Sequence, residues 1–146
     1  ARAALELTGM PAIADDTGLE VDALGGRPGI HAARYAGPGA SYADNVTKLL
    51  AELAGVTVER RGARFRTACV ALFPDGSEVV AEGVLEGRIT LAPRGENGFG
   101  YDPVCALRPL GRTRAALRDR EKNARSHRGR AARALARQLA GRVAPR

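Results

Sequence analysis

A hairpin signal in the middle of the chain constrains the fold more than any other feature. Residues 63–73 are rich in apolar residues and long enough for a strand. Pro74-Asp75-Gly76 has the composition of a turn, and residues 78–85 can return beside the first segment. The sequence therefore predicts a long β-hairpin, which any helices of the chain must pack against.

The other predicted elements surround this hairpin. Helices are predicted over residues 1–7 and 42–53 and after residue 108, and short strands over residues 12–14, 19–21 and 104–107. Glycine-rich loops are predicted over residues 25–29 and 93–100. Ser126 is a candidate N-cap for the last helix, whose apolar stripe holds Ala131, Leu135 and Leu139. These elements predict an α/β fold with a mixed, twisted sheet and flanking helices.

Length and composition narrow the class of protein. The chain has 146 residues, enough for one domain, which we predict to span residues 1–146. No stretch approaches the roughly 20 apolar residues of a membrane span, and no secretory leader opens the sequence. Cys69 and Cys105 both lie in apolar runs and are expected to be buried free thiols. We therefore expect a cytoplasmic protein.

Charge is distributed unevenly along the chain. The formal net charge is +7, and the segment from residue 108 onwards holds 13 Arg or Lys residues against Asp119 and Glu121. Such a basic segment suggests a polyanionic partner, either phosphate groups or nucleic acid. A solvated helix face filled by arginine is the plainer explanation for most of these side chains.

Asp15 and Asp16 are the first candidate site, at the predicted end of a strand and followed by Thr17-Gly18. Side chains alternate across a strand, so only one of the two carboxylates can readily face a cleft. A carboxylate in that position can hold Mg²⁺ through oxygen or accept a proton from an attacking water. An acidic turn with side-chain bonds to backbone amides is the alternative.

Phe99-Gly100-Tyr101-Asp102 is the second candidate. Aromatic residues make up only 4% of the chain, yet two of them fall in this glycine-rich loop. Aromatic rings in an exposed loop can stack on a nucleobase, and Asp102 can bond a base edge or orient a lysine. Rings that merely cap the edge of the sheet would give the same pattern.

Lys122 and the segment Ser126-His127-Arg128-Gly129 form the third candidate. Ser126 would place His127 and Arg128 in the first helical turn, where the helix dipole disfavours cations. Their N–H donors suit carbonyl oxygens on a base. Surface charge in an arginine-rich segment remains the alternative.

In this order the motifs resemble the Ham1-like family of inosine triphosphate pyrophosphatases. The matching stretches are Ala14-Asp15-Asp16-Thr17-Gly18-Leu19-Glu20-Val21-Asp22, Gly25-Gly26 with Pro28-Gly29, Ala33-Arg34-Tyr35-Ala36-Gly37, Asn45 with Lys48-Leu49-Leu50, Gly83, Gly87, residues 98–103, Glu121-Lys122 and Ser126-His127-Arg128-Gly129. The resemblance runs from residue 1 to about residue 139, nearly the whole chain.

The resemblance implies a twisted sheet with two lobes around a nucleotide cleft, in a homodimer. It implies hydrolysis of ITP, dITP, XTP and dXTP to the monophosphate and pyrophosphate with Mg²⁺, and no specific nucleic-acid partner. By position, Asp16 would be the proton acceptor and metal ligand, with Asp15 as a second candidate ligand. The residues implied to bind substrate are Thr17, Phe99, Gly100, Tyr101, Asp102, Lys122, His127 and Arg128.

Members of that family begin with a strand and a phosphate-binding loop that have no counterpart in this sequence. We therefore expect these residues to form the C-terminal two thirds to three quarters of the family's domain, without its opening strand, loop and helix. Two alternatives stay open: an inactive module that still binds a purine nucleotide, and a basic nucleic-acid-binding protein.

Overall fold

A computed structural model describes residues 1–143, in which five strands form one sheet of order β2-β1-β3-β4-β5. The strands are β1 (Ala12–Val21), β2 (Pro28–Gly29), β3 (Gly62–Leu72), β4 (Glu78–Ile89) and β5 (Cys105–Leu107). The helices are α1 (Arg2–Thr8), α2 (Tyr42–Glu52), α3 (Asp119–Arg125) and α4 (His127–Val143). The α/β class and the β3–β4 hairpin are confirmed. Three residues of the predicted 1–146 domain, 144–146, lie outside the described part.

Three details of the sequence-based prediction are wrong. All four pairings among the described strands are antiparallel, so this sheet is not mixed. The segments 12–14 and 19–21 are also not separate strands, because β3 pairs with every position of β1 from Ala12 to Val21. Pairing over ten consecutive positions satisfies the backbone of the intervening polar residues, and this outweighs their weak strand propensity. Pro28–Gly29, predicted as loop, adds a two-residue edge strand.

One face of the sheet is buried and the other carries charge. The buried face holds two apolar clusters. Leu19, Val21 and Phe65 belong to the cluster around α2, whereas Cys69 and Ala71 pack with Ala131 and Leu135 of α4. The opposite face carries a ladder of ion pairs formed by Glu20, Asp22, Arg64, Arg66, Glu82 and Glu86. This one-sided burial is typical of an antiparallel sheet.

The helix ends follow their sequence signals. Ser41 and Asp44 form a reciprocal capping box at the start of α2. Gly9 ends α1 with a positive φ of 67°. Ser126 Oγ accepts from the Gly129 amide at the start of α4, as the N-cap prediction required. Among residues 1–143, no helix combines the length and apolar character needed to cross a bilayer.

The boundary between the two clusters positions the start of α4. Thr67 of β3 pairs with Gly83 of β4 at this boundary. A Cβ on Gly83 would lie 2.0 Å from the His127 carbonyl oxygen and 2.5 Å from the Ala131 amide nitrogen. Glycine at this position therefore lets α4 rest directly on the strand backbone and brings His127 onto the sheet.

Candidate active site

A cavity of about 760 Å³ opens between β1, the loop before β5 and the starts of α3 and α4. Its lining includes every residue that the sequence singled out: Asp15, Asp16, Thr17, Phe99, Gly100, Tyr101, Asp102, Lys122, His127 and Arg128. The three candidate motifs, of which the first lies more than 80 residues before the other two, therefore face one space. Both cysteines are buried free thiols, as expected.

Asp15 and Asp16 lie in the middle of β1, not at a strand end, because β3 pairs with the strand on both sides of them. Asp15 Oδ2 accepts from Arg128 Nε at 2.5 Å, which ties β1 to α4. Asp16 is exposed, and its Oδ1 accepts from the Thr17 amide at 2.8 Å. The alternation of the strand separates the two carboxylates, so Asp15 shares a face with Thr17 and Asp16 does not.

Thr17, Thr67 and His127 form a buried chain of hydrogen bonds. The Thr17 and Thr67 hydroxyl oxygens lie 2.6 Å apart, and Thr67 Oγ1 lies 2.6 Å from His127 Nδ1. Thr67 is fully buried, so its hydroxyl has these two partners in place of water. The chain fixes the orientation of the imidazole ring relative to β1.

The His127 ring is held neutral at pH 7. Burial, followed by the charges of Arg114 and Arg128, lowers the pKa of His127 to about 4. The ring stacks on Phe65 with centroids 5.0 Å apart and an interplanar angle of 20°. A neutral imidazole offers one donor and one acceptor, so the Thr67 bond decides which of the two faces a ligand.

Asp102 lies at the centre of a buried ion cluster. Arg114 Nε donates to Asp102 Oδ1 at 2.7 Å, and Lys122 Nζ lies 3.4 Å from Oδ2. Gly98 packs against this cluster: a Cβ there would lie 2.2 Å from Asp102 Oδ2 and 2.5 Å from Lys122 Nζ. The loop therefore closes over the pair only because residue 98 has no side chain.

The two aromatic residues of the loop have different environments. Phe99 is 65% exposed, and its ring centroid lies 6.0 Å from that of Tyr42, which is also exposed. Tyr101 is buried in the core and donates its hydroxyl to the Ala32 carbonyl at 2.8 Å. Phe99 is thus the ring available for stacking on a ligand, and Tyr101 anchors the loop.

Tyr42, Phe65 and Arg114 line the cavity wall but were not singled out from the sequence. Arg114 stands in a segment crowded with arginines, and its ion-pair partner Asp102 lies twelve positions earlier. In the sequence, Phe65 has the pattern of an ordinary strand residue. Thr67, which holds His127, was missed for the same reason, since its partners lie 50 and 60 positions away.

A divalent cation fits the carboxylate side of the cavity. The described residues hold no group of three or more His, Cys, Asp or Glu side chains that could bind a metal by themselves. Asp15 and Asp16 supply carboxylate oxygens, the ligands of hard cations such as Mg²⁺. Mg²⁺ typically binds one or two carboxylates together with substrate phosphates, so one of these two aspartates would be enough on the protein side.

The fold and the cavity define an α/β protein with a ligand cleft, exposed carboxylates at one side and a buried cationic and aromatic wall at the other. The Ham1 family model matches residues 1–138. This chain belongs to the Ham1 family, and its resemblance to that family is confirmed.

Relatives and solved structures agree with this assignment. The chain is 55% identical over 136 residues to the dITP/XTP pyrophosphatase of Methylococcus capsulatus, a match that covers 90% of the chain and 67% of the relative. It is 52% identical over 144 residues to the enzyme of the same name from Thioalkalivibrio sulfidiphilus, covering 97% and 74%. The Staphylococcus aureus Ham1 protein superposes with a TM-score of 0.90 at 41% identity, covering 97% of this chain and 72% of that one. The chain thus spans about two thirds to three quarters of the length of these relatives.

Proposed function

We propose that this protein is a nucleoside-triphosphate pyrophosphatase that hydrolyses ITP, dITP, XTP and dXTP to the monophosphate and pyrophosphate. The observation that carries the proposal is the meeting of a carboxylate pair and a base-sized aromatic and cationic wall in one cavity. Relatives at 52–55% identity are named dITP/XTP pyrophosphatases. Hydrolysis of these nucleotides would remove them from the pool of nucleic-acid precursors.

Asp16 is proposed as the general base. Asp16 is exposed and belongs to the cavity lining, on the face of β1 opposite to that of Asp15 and Thr17, and within the described residues its hydrogen bond is to the neighbouring Thr17 amide. An ionised carboxylate can orient water and accept its proton as the new O–P bond forms and the anhydride between the α- and β-phosphates breaks. Water attacks the α-phosphorus, Asp16 accepts its proton, and pyrophosphate leaves with the α–β bridging oxygen while the water oxygen stays on the monophosphate.

Asp16 would also hold Mg²⁺, with Asp15 as the second candidate ligand. The ion, when bound, neutralises charge on the phosphates and the leaving pyrophosphate. Arg128 now pairs with Asp15 and is half exposed, so it lies within reach of an anionic or carbonyl group at the cavity. Thr17 would contact substrate beside the carboxylates.

The proposed base site lies on the other side of the cavity. Phe99 would stack on the purine, and Gly100 would leave its backbone accessible to the ligand. His127 and Arg128 would donate to the 6-keto oxygen of hypoxanthine or xanthine, whereas the amino group of adenine would set donors against donors. Asp102, Lys122 and the buried Tyr101 would hold this wall in shape. A homodimeric assembly and a cytoplasmic location, which the resemblance implies, belong to the same proposal.

The test is a product assay with the purified protein and ITP, XTP, GTP or ATP, with and without Mg²⁺. We expect pyrophosphate and monophosphate in equal amounts from ITP and XTP, at a kcat/KM at least tenfold above that for ATP. Release of orthophosphate, or equal turnover of all four nucleotides, would contradict the proposal. Binding of IMP without turnover would favour the inactive nucleotide-binding module. Salt-sensitive DNA binding without nucleotide binding would favour the nucleic-acid alternative.

A further inference from the structure

Arg114 is a buried cation in the cavity wall to which no role has been assigned. The residue is 9% exposed, and its Nε is held by Asp102. Its Nη1 is buried and has no hydrogen-bond partner among residues 1–143. Burying a hydrogen-bond donor without a partner costs free energy, so a ligand that places an acceptor at Nη1 would be favoured.

The charge balance around Arg114 also favours an electron-rich ligand. Asp102 is the carboxylate shared by Arg114 and Lys122, so one negative group faces two positive ones. His127 adds no charge, because burial keeps its imidazole neutral at pH 7. The guanidinium carbon lies 5.5 Å from the centroid of Phe65, on whose ring His127 stacks. This part of the wall is therefore cationic, aromatic and largely buried.

The position of Arg114 separates it from the carboxylate side. Asp16 pairs with Ala68 on β3, and Phe65 lies three residues further along that strand. At about 3.3 Å per residue, this places Phe65 roughly 10 Å from the strand position that faces Asp16. Arg114 is also anchored by Asp102, which belongs to the loop of Phe99. Both relations place the guanidinium at the proposed base site and away from the proposed phosphate site.

We propose that Arg114 is a specificity-determining residue whose guanidinium donates a hydrogen bond to a keto oxygen of the bound purine. The inference rests on the proposed function for the class of ligand. Asp102 fixes the Nε side of the guanidinium, which leaves the Nη side for the base. A carbonyl at C2 or C6 satisfies the unmet donor, whereas a base with hydrogen at both carbons leaves it unmet.

Equilibrium binding of three monophosphates tests this assignment without requiring turnover. IMP has one keto oxygen, XMP has two, and purine riboside monophosphate has none. In Arg114→Met we expect the Kd for IMP, for XMP or for both to rise by about 10- to 100-fold, while the Kd for purine riboside monophosphate changes by less than threefold. Weaker binding of IMP would identify the C6 oxygen as the acceptor, and weaker binding of XMP alone would identify the C2 oxygen.

Two variants serve as controls. Arg120→Met removes an exposed arginine of α3 that does not line the cavity, and should leave all three Kd values unchanged. Arg114→Lys keeps the charge beside Asp102 but loses the planar fork, so it should weaken binding of the keto bases by a smaller factor than Arg114→Met. If Arg114→Met does not fold, Arg114→Lys decides: it must weaken a keto base more than purine riboside monophosphate.

An equal loss for all three ligands, or no loss for any, would overturn the assignment. So would a wild-type protein that binds IMP and XMP no more tightly than purine riboside monophosphate. The proposed function fails separately, if the wild-type protein shows the expected binding and yet releases no pyrophosphate from ITP.

Discussion

The two sides of the cavity are built differently. On the base side, the side chains of Asp102, Lys122 and Arg114 are between 8% and 11% exposed and bond to one another. On the carboxylate side, Asp15 is 33% and Arg128 52% exposed, and Asp16 is open to solvent. The first side is assembled before any ligand arrives, whereas the second is wet and held by fewer contacts.

This difference suggests that the two sides of the cavity have different functions in binding and catalysis. A purine base is discriminated by the positions of a few acceptors and donors, and fixed, dry partners are the means to read them. A triphosphate with its cation brings its own charge and ligands, so the protein needs to supply only carboxylates that can reach them. Mutations on the two sides should therefore differ in kind: loss of rate on one, loss of stability and selectivity on the other.

The largest effect is expected on the carboxylate side. Asp16→Asn should lower kcat by about 10²- to 10⁴-fold with little change in the Kd for IMP, because the amide can neither accept the proton nor hold the cation as well. Steady-state turnover of ITP and titration of IMP measure the two quantities. Asp15→Asn is the matched control and should cost less. Equal turnover in Asp16→Asn and wild type would remove Asp16 from the mechanism.

The next largest effect is a loss of stability on the base side. Asp102→Ala leaves Arg114 and Lys122 buried without their carboxylate, and should lower the free energy of unfolding by about 3–5 kcal/mol. Urea titration measures this loss. Glu82→Ala removes an ion pair with Arg66 on the exposed face of the sheet and should cost under about 1 kcal/mol. Similar losses in both variants would mean that the cluster is not the rigid element inferred from its burial.

The pH dependence of stability tests the neutral state of His127. Its pKa is lowered to about 4 in the folded protein, against about 6.5 when unfolded, so the unfolded state binds the proton more readily between these values. The contribution of His127 is complete above pH 6.5 and is lost as the pH falls towards 4, by about 3 kcal/mol. In His127→Gln the decline in unfolding free energy over this window should be shallower. Parallel curves for the two proteins would contradict a buried neutral imidazole.

A smaller effect is expected where the two sides meet. Arg128→Ala should lower the ratio of kcat/KM for ITP to that for ATP by about tenfold, chiefly through slower use of ITP, since one donor to the 6-keto oxygen is lost. Arg130→Ala removes an exposed arginine of the same helix that does not line the cavity, and serves as the control. If the ratio is the same in Arg128→Ala and wild type, Arg128 does not read the base.

The sequence was informative where local signals decide the structure. The hairpin of β3 and β4, the Ser126 cap of α4 and the stripe of Ala131 and Leu135 were all predicted and are confirmed. Asp15 and Asp16 were assigned to a strand end because two acidic residues interrupt an apolar run. Only the pairing with β3, some 50 residues away, shows that the strand continues.

The motifs of the site could be predicted from the sequence, but the buried residues that hold them in place could not. The residues taken from the family resemblance line one cavity, although their individual roles stay predictions. Arg114 and Thr67 could not be predicted from the sequence, because the role of each depends on a buried partner that is distant in the chain. No local feature of the sequence distinguishes an arginine or a threonine that makes such a contact from its neighbours of the same type.

A crystal structure with Mg²⁺ and an ITP analogue whose α–β bridging oxygen is replaced by methylene would test the central claim directly. We expect the base against Phe99 with a keto oxygen at Arg114, and the phosphates and cation beside Asp16. A base beside Asp15 and Asp16 with phosphates at Lys122 and Arg114, or a ligand outside the cavity, would contradict it.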